Sequence, residues 1–244
     1  MTAESASAFL LHRRPYRETS LLVDLFHLDL GYVRAVCRGA RSKSKGTAAL
    51  MQPFTPLLVE LSGRGELLSL RHAEADGPAA YQFTGSALYT ALYLNELLVR
   101  LLPQSEPVSE LFSSYSDALA ALAQMAAEMV PDQILRPFEL LLLDTLGFGI
   151  DFQSDTEGHC LSEQLSYRWI PEQGWLAQVS HSDVAVTGVY PGAHLLAIAR
   201  GAFDNEAVQR SAKLICRQAL SSQLGSRPLK SRELFAHFLK GKRP

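Results

Sequence analysis

The first eighty residues are cut by turn formers into short segments rich in Val and Leu, and from about residue 84 that texture gives way to helical spacing. No other feature restricts the fold as much. "AFLLH" (8–12), "SLLVDLFHL" (20–28), "GYVRAVCRG" (31–39), "PLLVELSG" (56–63) and "GELLSLRHAEA" (65–75) read as strands. Arg14-Pro15, Leu30-Gly31, Gly46, Pro53 to Pro56 and Gly63 to Gly65 separate them. In the third, Val33, Ala35 and Cys37 alternate with Arg34, Val36 and Arg38, the period of a half-buried strand. Five short antiparallel strands in about 70 residues predict a small closed barrel of the OB type.

The remainder predicts helices. "TGSALYTALYLNELLVRLLP" carries apolar residues near helical spacing and closes on Pro103; "VSELFSSYSDALAALAQMAAEM" and "PDQILRPFELLLLDTLGFG" follow. Pro131 and Gly147 stand where a helix favours its first-turn proline and its terminating glycine, and Pro137 is expected to kink or restart the third helix. Residues 148–190 lose helical character, with "LSYRWIPEQGWLAQV" forming a hairpin around Glu172 to Gly174. Helices resume with "GAHLLAIARGAF" and with "NEAVQRSAKLICRQALSSQLG", which Asn205 caps. In the closing "RPLKSRELFAHFLKGKRP", Ser231 is expected to cap a short helix stacking Leu234, Phe235 and Phe238. The expected class is therefore α+β. Residues 1–80 form a five-stranded OB barrel, and residues 81–244 form a helical domain with an irregular insert and a basic tail over 211–244.

Charge is distributed unevenly. Residues 1–77 hold 10 Lys+Arg against 8 Asp+Glu, residues 78–210 hold 5 against 16, and residues 211–244 hold 8 against 1. A net charge of −2 thus hides two basic ends around an acidic middle. This asymmetry favours a polyanionic partner.

Several function classes lose support. There is no GxxxxGK[ST] loop and no GxSxG elbow, and the "GRG" at 63–65 is a turn between strands. His159-Cys160 are adjacent, a poor geometry for a base and its nucleophile. Three scattered cysteines, Cys37, Cys160 and Cys216, give neither a disulfide framework nor a zinc set. No enzyme, metal or other cofactor is expected. No apolar run reaches the roughly 18 residues of a membrane span, and no signal sequence is recognisable, so the expected location is the cytoplasm.

The strongest binding feature is "VRAVCRGARSKSKG" (33–46). Between Asp29 and Glu60 there is no acidic residue, while Arg34, Arg38, Arg41, Lys43 and Lys45 fall in the gap. Such side chains neutralise phosphates and release counterions, and the small spacers let backbone approach a phosphate chain. A solvated hairpin loop is the competing reading. Tyr16, Phe26, Tyr32 and Phe54 are aromatics near this region; most belong to the barrel core by their spacing, with Tyr32 the best candidate for stacking on a base. The tail cations, including Lys230 and Arg232, either extend the basic track or belong to a solvated end. Arg136, beside an expected exposed Phe138, either receives an acidic peptide ending in a hydrophobic carboxylate or pairs within its helix with Asp132 or Glu139.

Taken together, "AFLLHRRPYRETSLLVDLFHLDLGYVRAVCRGARSKSKG", the text from Leu50 through Glu74, "YLNELLVRLLP", "RPFELLLLDTLGFG" and "PLKSRELF" closely resemble the RecO family of bacterial recombination mediators. The similarity runs in order along nearly the whole chain. It implies an OB fold, a helical domain and a role in DNA repair through the RecF recombination pathway, in the cytoplasm at the nucleoid. Single- and double-stranded DNA, RecR, the C-terminal tail of single-strand-binding protein (SSB) and, indirectly, RecA recombinase are the implied partners. The implied activities are strand annealing and RecA loading; the alternative is a non-catalytic adaptor with only weak DNA contact. DNA contact is implied for Arg34, Arg38, Arg41, Lys43 and Lys45, and SSB-tail contact for Arg136 with Phe138. Some members carry a four-cysteine zinc module after the third helix, whereas this chain keeps only Cys160 there; Tyr167, Trp169 and Trp175 are expected to hold the insert instead.

Overall fold

The structure, a computed structural model, describes residues 5–41, 47–77, 80–125, 131–178 and 188–241. The chain forms two compact units, one of Met1–Met129 with Arg227–Pro244 and one of Val130–Ser226.

In the first unit, β1 (Ala6–Tyr16), β2 (Ser20–His27), β3 (Gly31–Cys37), β4 (Pro56–Ser62) and β5 (Leu67–Ala75) close in the order β1-β2-β3-β5-β4. The sequence reading made all strands antiparallel, and one contact corrects it: β3 and β5 run parallel, Arg34 to Cys37 beside Leu67 to Leu70. A closed ring of five strands cannot alternate direction throughout, so one neighbouring pair must be parallel. Inside the ring, Leu10, Val23, Leu25, Val33, Ala35, Leu57 and Val59 form the core, and the short α1 (Thr47–Leu50) leads into the fully buried Met51.

β1 also runs further than expected. It continues through Arg14-Pro15 to Tyr16, with Pro15 opposite Leu21. Its ladder with β4 ends at Phe9, with one further bond from the Phe54 N–H to the Leu10 carbonyl, and a proline without an N–H is tolerated on the edge beyond. A bulge between Leu10 and His12 resets the register, which places His12, Arg14 and Tyr16 opposite Asp24, Leu22 and Ser20.

β2 is buried along its full length. Leu21, Val23 and Leu25 enter the barrel, while Phe26, with Phe9 of β1, meets Phe112 and Tyr115 of α3 (Ser109–Gln124) at centroid distances of 5.1–5.8 Å. Each such ring pair adds about 0.5–1.5 kcal/mol beyond area burial. α2 (Gly85–Leu101) is tied to β1 where the Asn95 amide donates to the Leu11 carbonyl at 2.8 Å, and the Tyr115 hydroxyl donates to Asn95 Oδ1 at 2.5 Å. At the β2–β3 turn Gly31 has φ +65°, and a Cβ there would stand 1.8 Å from the Glu106 carbonyl oxygen.

The tail forms α7 (Lys230–Gly241), carried on α2. Its N-terminus is capped by Glu96, whose carboxylate accepts from the Lys230 and Ser231 backbone N–H groups at 2.9 and 2.8 Å and from the Ser231 hydroxyl at 2.7 Å. Ser231 is thus not the cap: it is a donor to a carboxylate supplied from 135 residues away. Phe235 and Phe238 pack on Tyr89, whereas Leu234 is exposed.

The second unit begins with α4 (Asp132–Thr145), which runs through Pro137 without restarting. In the second turn a proline removes one N–H, and the helix continues on its other bonds. It ends as expected: Gly147 (φ +80°) donates to the Asp144 carbonyl and Phe148 to that of Leu143, the paired bonds of a Schellman terminus. The insert holds the expected hairpin, β6 (Ser166–Ile170) with β7 (Gly174–Gln178), and an unanticipated third strand, β8 (Val189–Pro191). Trp175 and Tyr167 are fully buried, Trp169 and Tyr190 pack around Trp175, and the Trp175 indole donates to the Asp151 carbonyl. α5 (Gly192–Ala199) and α6 (Glu206–Leu224) complete the unit, with Asn205 Oδ1 accepting from the Ala207 N–H as the cap of α6. No helix among the described residues is long and apolar enough to cross a membrane.

Candidate nucleic-acid interface

Alternation along β3 sends Val33, Ala35 and Cys37 into the barrel, so Arg34, Val36 and the following Arg38 face outward. Arg34 is held in a network. Its Nε donates to the Tyr32 hydroxyl at 3.0 Å and lies 3.3 Å from Asp24 Oδ1; Tyr32 itself donates to that oxygen at 2.9 Å, and His12 Nδ1 is 3.3 Å from Asp24 Oδ2. Burial pushes the Asp24 carboxyl up, but hydrogen bonds with His12 and Tyr32 and the Arg34 charge outweigh it and hold the group below its ordinary range. Burial and the Asp24 charge push the Tyr32 phenol up to about 12. Tyr32 is therefore a fixed, neutral donor that orients Arg34, and at 2% exposure it presents no face to a base. This corrects its expected stacking role. A glycine turn before it does not expose a ring whose hydroxyl is drawn to a buried carboxylate.

Beyond Val36 the barrel end gathers cations that have no such partner. The Arg41 N–H donates to the Thr19 carbonyl at 2.9 Å and its guanidinium approaches the Arg17 carbonyl at 3.4 Å, fastening the exit of β3 to the β1–β2 turn. Arg14, Arg17, Arg38 and Arg41 are all exposed, and among the described residues none has a carboxylate within salt-bridge distance. Their charge is unspent, whereas that of Arg34 is partly matched by Asp24. Between the turn and the start of β5 lies a cleft of about 750 Å³, lined by Tyr16, Val36 and Leu67 together with Arg17, Glu18 and Arg38. Guanidinium groups around a concave, partly apolar surface suit phosphate oxygens and the groups attached to them.

The other sequence candidates fall into different settings. Lys43 and Lys45 lie outside the described residues. Lys230 is exposed at the start of α7. Arg232 is occupied: its Nη2 donates to the Tyr93 hydroxyl at 2.9 Å, and its guanidinium lies 5.1 Å from that ring's centroid. The expected exposed platform at Arg136 and Phe138 is not formed. Arg136 is 5% exposed, bonded to Asp132 at 2.9–3.0 Å and to Glu139, and Phe138 is 1% exposed. Spacings of four and three residues place both carboxylates on Arg136's own helix face, which is the within-helix pairing.

Sequence reasoning passed over Arg14 and Arg17. The cue was present in "HRRPYRE", three cations in seven residues, but reading Arg14-Pro15 as a turn detached them from the sheet. Once β1 extends to Tyr16, Arg14 shares the outward face across Leu22 and Val36, and Arg17, in the turn, meets Arg41 through its carbonyl.

Comparison with known proteins identifies the family of the chain. The family model described as Recombination protein O N terminal matches residues 1–78, and that described as Recombination protein O C terminal matches residues 82–233. The chain is 43% identical over 241 residues to the DNA repair protein RecO of Pseudoalteromonas atlantica, covering 98% of this chain and 97% of the relative. It is 43% identical over 233 residues to the DNA repair protein RecO of an Enterobacter species, covering 95% and 96%. Its likeness to the protein of the same name from Klebsiella pneumoniae is 43% over 95% of this chain and 92% of the relative. With an OB-like barrel, a helical remainder and both family models matched in order, the chain belongs to the RecO family of DNA repair proteins.

Proposed function

We propose that this chain is a non-catalytic DNA-binding protein that holds a strand by its phosphates on the outward face of β3 and the adjoining β1–β2 turn. The observation that carries the reading is the set of exposed arginines without carboxylate partners, Arg14, Arg17, Arg38 and Arg41, with Arg34 fixed beside them. Lys43 and Lys45 extend this track by sequence, and Lys230 is a second cationic contact on α7. Residues 1–80 act as the DNA-binding domain. Because phosphates carry the contact, most bases stay available for pairing, and charge screening brings complementary strands together without ATP.

Within the RecF pathway, the protein would anneal strands and assist RecA loading on SSB-coated DNA, together with RecR, at the nucleoid. Support for these partners comes from family membership. An SSB tail would find Arg136 only by competing with Asp132 and Glu139, so the tail-binding role is not tied to Arg136 and Phe138 here. Annealing of bare complementary oligonucleotides, with EDTA and no nucleotide, tests the proposal. Acceleration at low salt that fades as salt rises is expected. Its absence would favour the alternative, an adaptor that touches DNA only weakly.

A further inference from the structure

We propose that the cleft between the β1–β2 turn and β5 is a base-holding subsite, taking one unpaired nucleotide of a single strand whose phosphates run along the arginines. The inference rests on the DNA-binding reading above and gives it a preference for single strands.

The cleft lies on the outer face of the barrel, and register explains its shape. Tyr16 stands opposite Ser20, Leu22 opposite Val36, Val36 beside Ser69, and Arg34 beside Leu67. Tyr16 and Leu67 thus line the cleft from β1 and β5, with Val36 of β3 between them. Leu67 is 45% exposed although it sits in a strand, an apolar side chain left open beside cations. The Tyr16 ring offers an aromatic face on which one base can stack, and Leu67 adds apolar surface further along the cleft. Ser20, Ser69 and the Glu18 carboxylate lie within the same cleft and offer hydrogen-bonding groups to a base edge. At about 750 Å³ the space falls in the roughly 300–1,000 Å³ range of clefts that enclose small-molecule-sized groups.

The lining arginines supply the rest of a nucleotide's chemistry. The Arg17 guanidinium lies 5.3 Å from the Tyr16 ring centroid, so aromatic face and cation are already paired. Arg38 closes the β3 side, and Arg41 anchors the turn that carries Arg17. A duplex cannot place a base here without extruding it, whereas a single strand presents bases already unstacked. One base per protein is then withheld from pairing while its neighbours remain free.

The test uses the full-length protein and two oligonucleotides of equal length and charge, oligo(dT) and a strand carrying abasic sites throughout its centre, with binding read by anisotropy. Wild type is expected to prefer oligo(dT). Tyr16→Ala should weaken oligo(dT) binding by about 5- to 150-fold while leaving abasic-strand and duplex binding nearly unchanged. Tyr16→Trp should keep the preference. Leu67→Gln, which leaves the charge unchanged at an exposed position, should reduce the preference by removing apolar surface from the cleft. Equal affinity of wild type for the two strands, or an equal loss on both from Tyr16→Ala, would overturn the subsite. The arginine contact would survive that result, because it is read from the abasic strand and the duplex. Free dTMP binding more tightly than the strand would assign the cleft to free nucleotides and also overturn the proposal.

Discussion

The Tyr32 hydroxyl reaches diagonally across the β2–β3 ladder to donate to Asp24 Oδ1 at 2.9 Å, and the same hydroxyl accepts from Arg34. Removing it in Tyr32→Phe leaves a buried carboxylate oxygen short of a donor. The expected cost is about 1–3 kcal/mol in urea unfolding, since hydrogen bonds to charged groups lie in that range.

Acid stability follows from the same network. The folded Asp24 carboxyl sits below its ordinary value of 3.8, because its hydrogen bonds and the Arg34 charge outweigh burial. A depressed carboxyl contributes stability that is complete above its unfolded value, about pH 4, and is lost as pH falls through the folded value. Denaturation measured between pH 2 and pH 6 should therefore show a steeper acid limb for wild type than for Asp24→Asn, which is also less stable at neutral pH.

Glu96 is the cap of α7. Glu96→Ala should cost about 0.5–2 kcal/mol, in the range of cap deletions, and the loss should be local. Hydrogen exchange is expected to speed up in residues 230–239 while the barrel strands keep their protection. Arg232→Ala should likewise loosen α7.

Arg136 lies between two carboxylates inside the second unit. Arg136→Ala leaves the buried Glu139 without this counter-charge and Asp132 with Lys213 alone at 4.0 Å, and a loss of about 3–5 kcal/mol is expected by urea unfolding. A well-folded Arg136→Ala with unchanged stability would show that this pairing is dispensable.

Among the described glycines of the barrel, an added Cβ would come nearest to other backbone at Gly31. Gly31→Ala combines a left-handed φ with a Cβ placed against the Glu106 carbonyl, and about 2–4 kcal/mol of destabilisation is expected in thermal or urea melts.

Much of the fold was legible because its cues are local. Alternation in "GYVRAVC", Gly147 after α4 and Asn205 before α6 each act within a few residues of where they are read. What escaped was set at long range. Glu96 caps a helix 134 residues away, the β3–β5 pair is parallel because an odd ring must close, and β1 passes through Pro15 because that stretch is an edge. The site was legible as charge, not as geometry. Arg34, Arg38 and Arg41 stood out by composition, but no sequence cue tells that Asp24 partly neutralises the first, that Tyr32 is buried with its hydroxyl held by Asp24, or that Arg17 joins the others through the turn.

The claim that unpaired barrel arginines carry the DNA contact is tested most directly by the salt dependence of single-strand binding. Each phosphate contact contributes a slope of about −0.7 in log K against log salt. Arg38→Ala with Arg41→Ala should reduce the wild-type slope by about 1.4, while Arg210→Ala, whose charge is matched by Glu206 on α6, leaves it unchanged. A double variant with the wild-type slope and affinity would contradict the account.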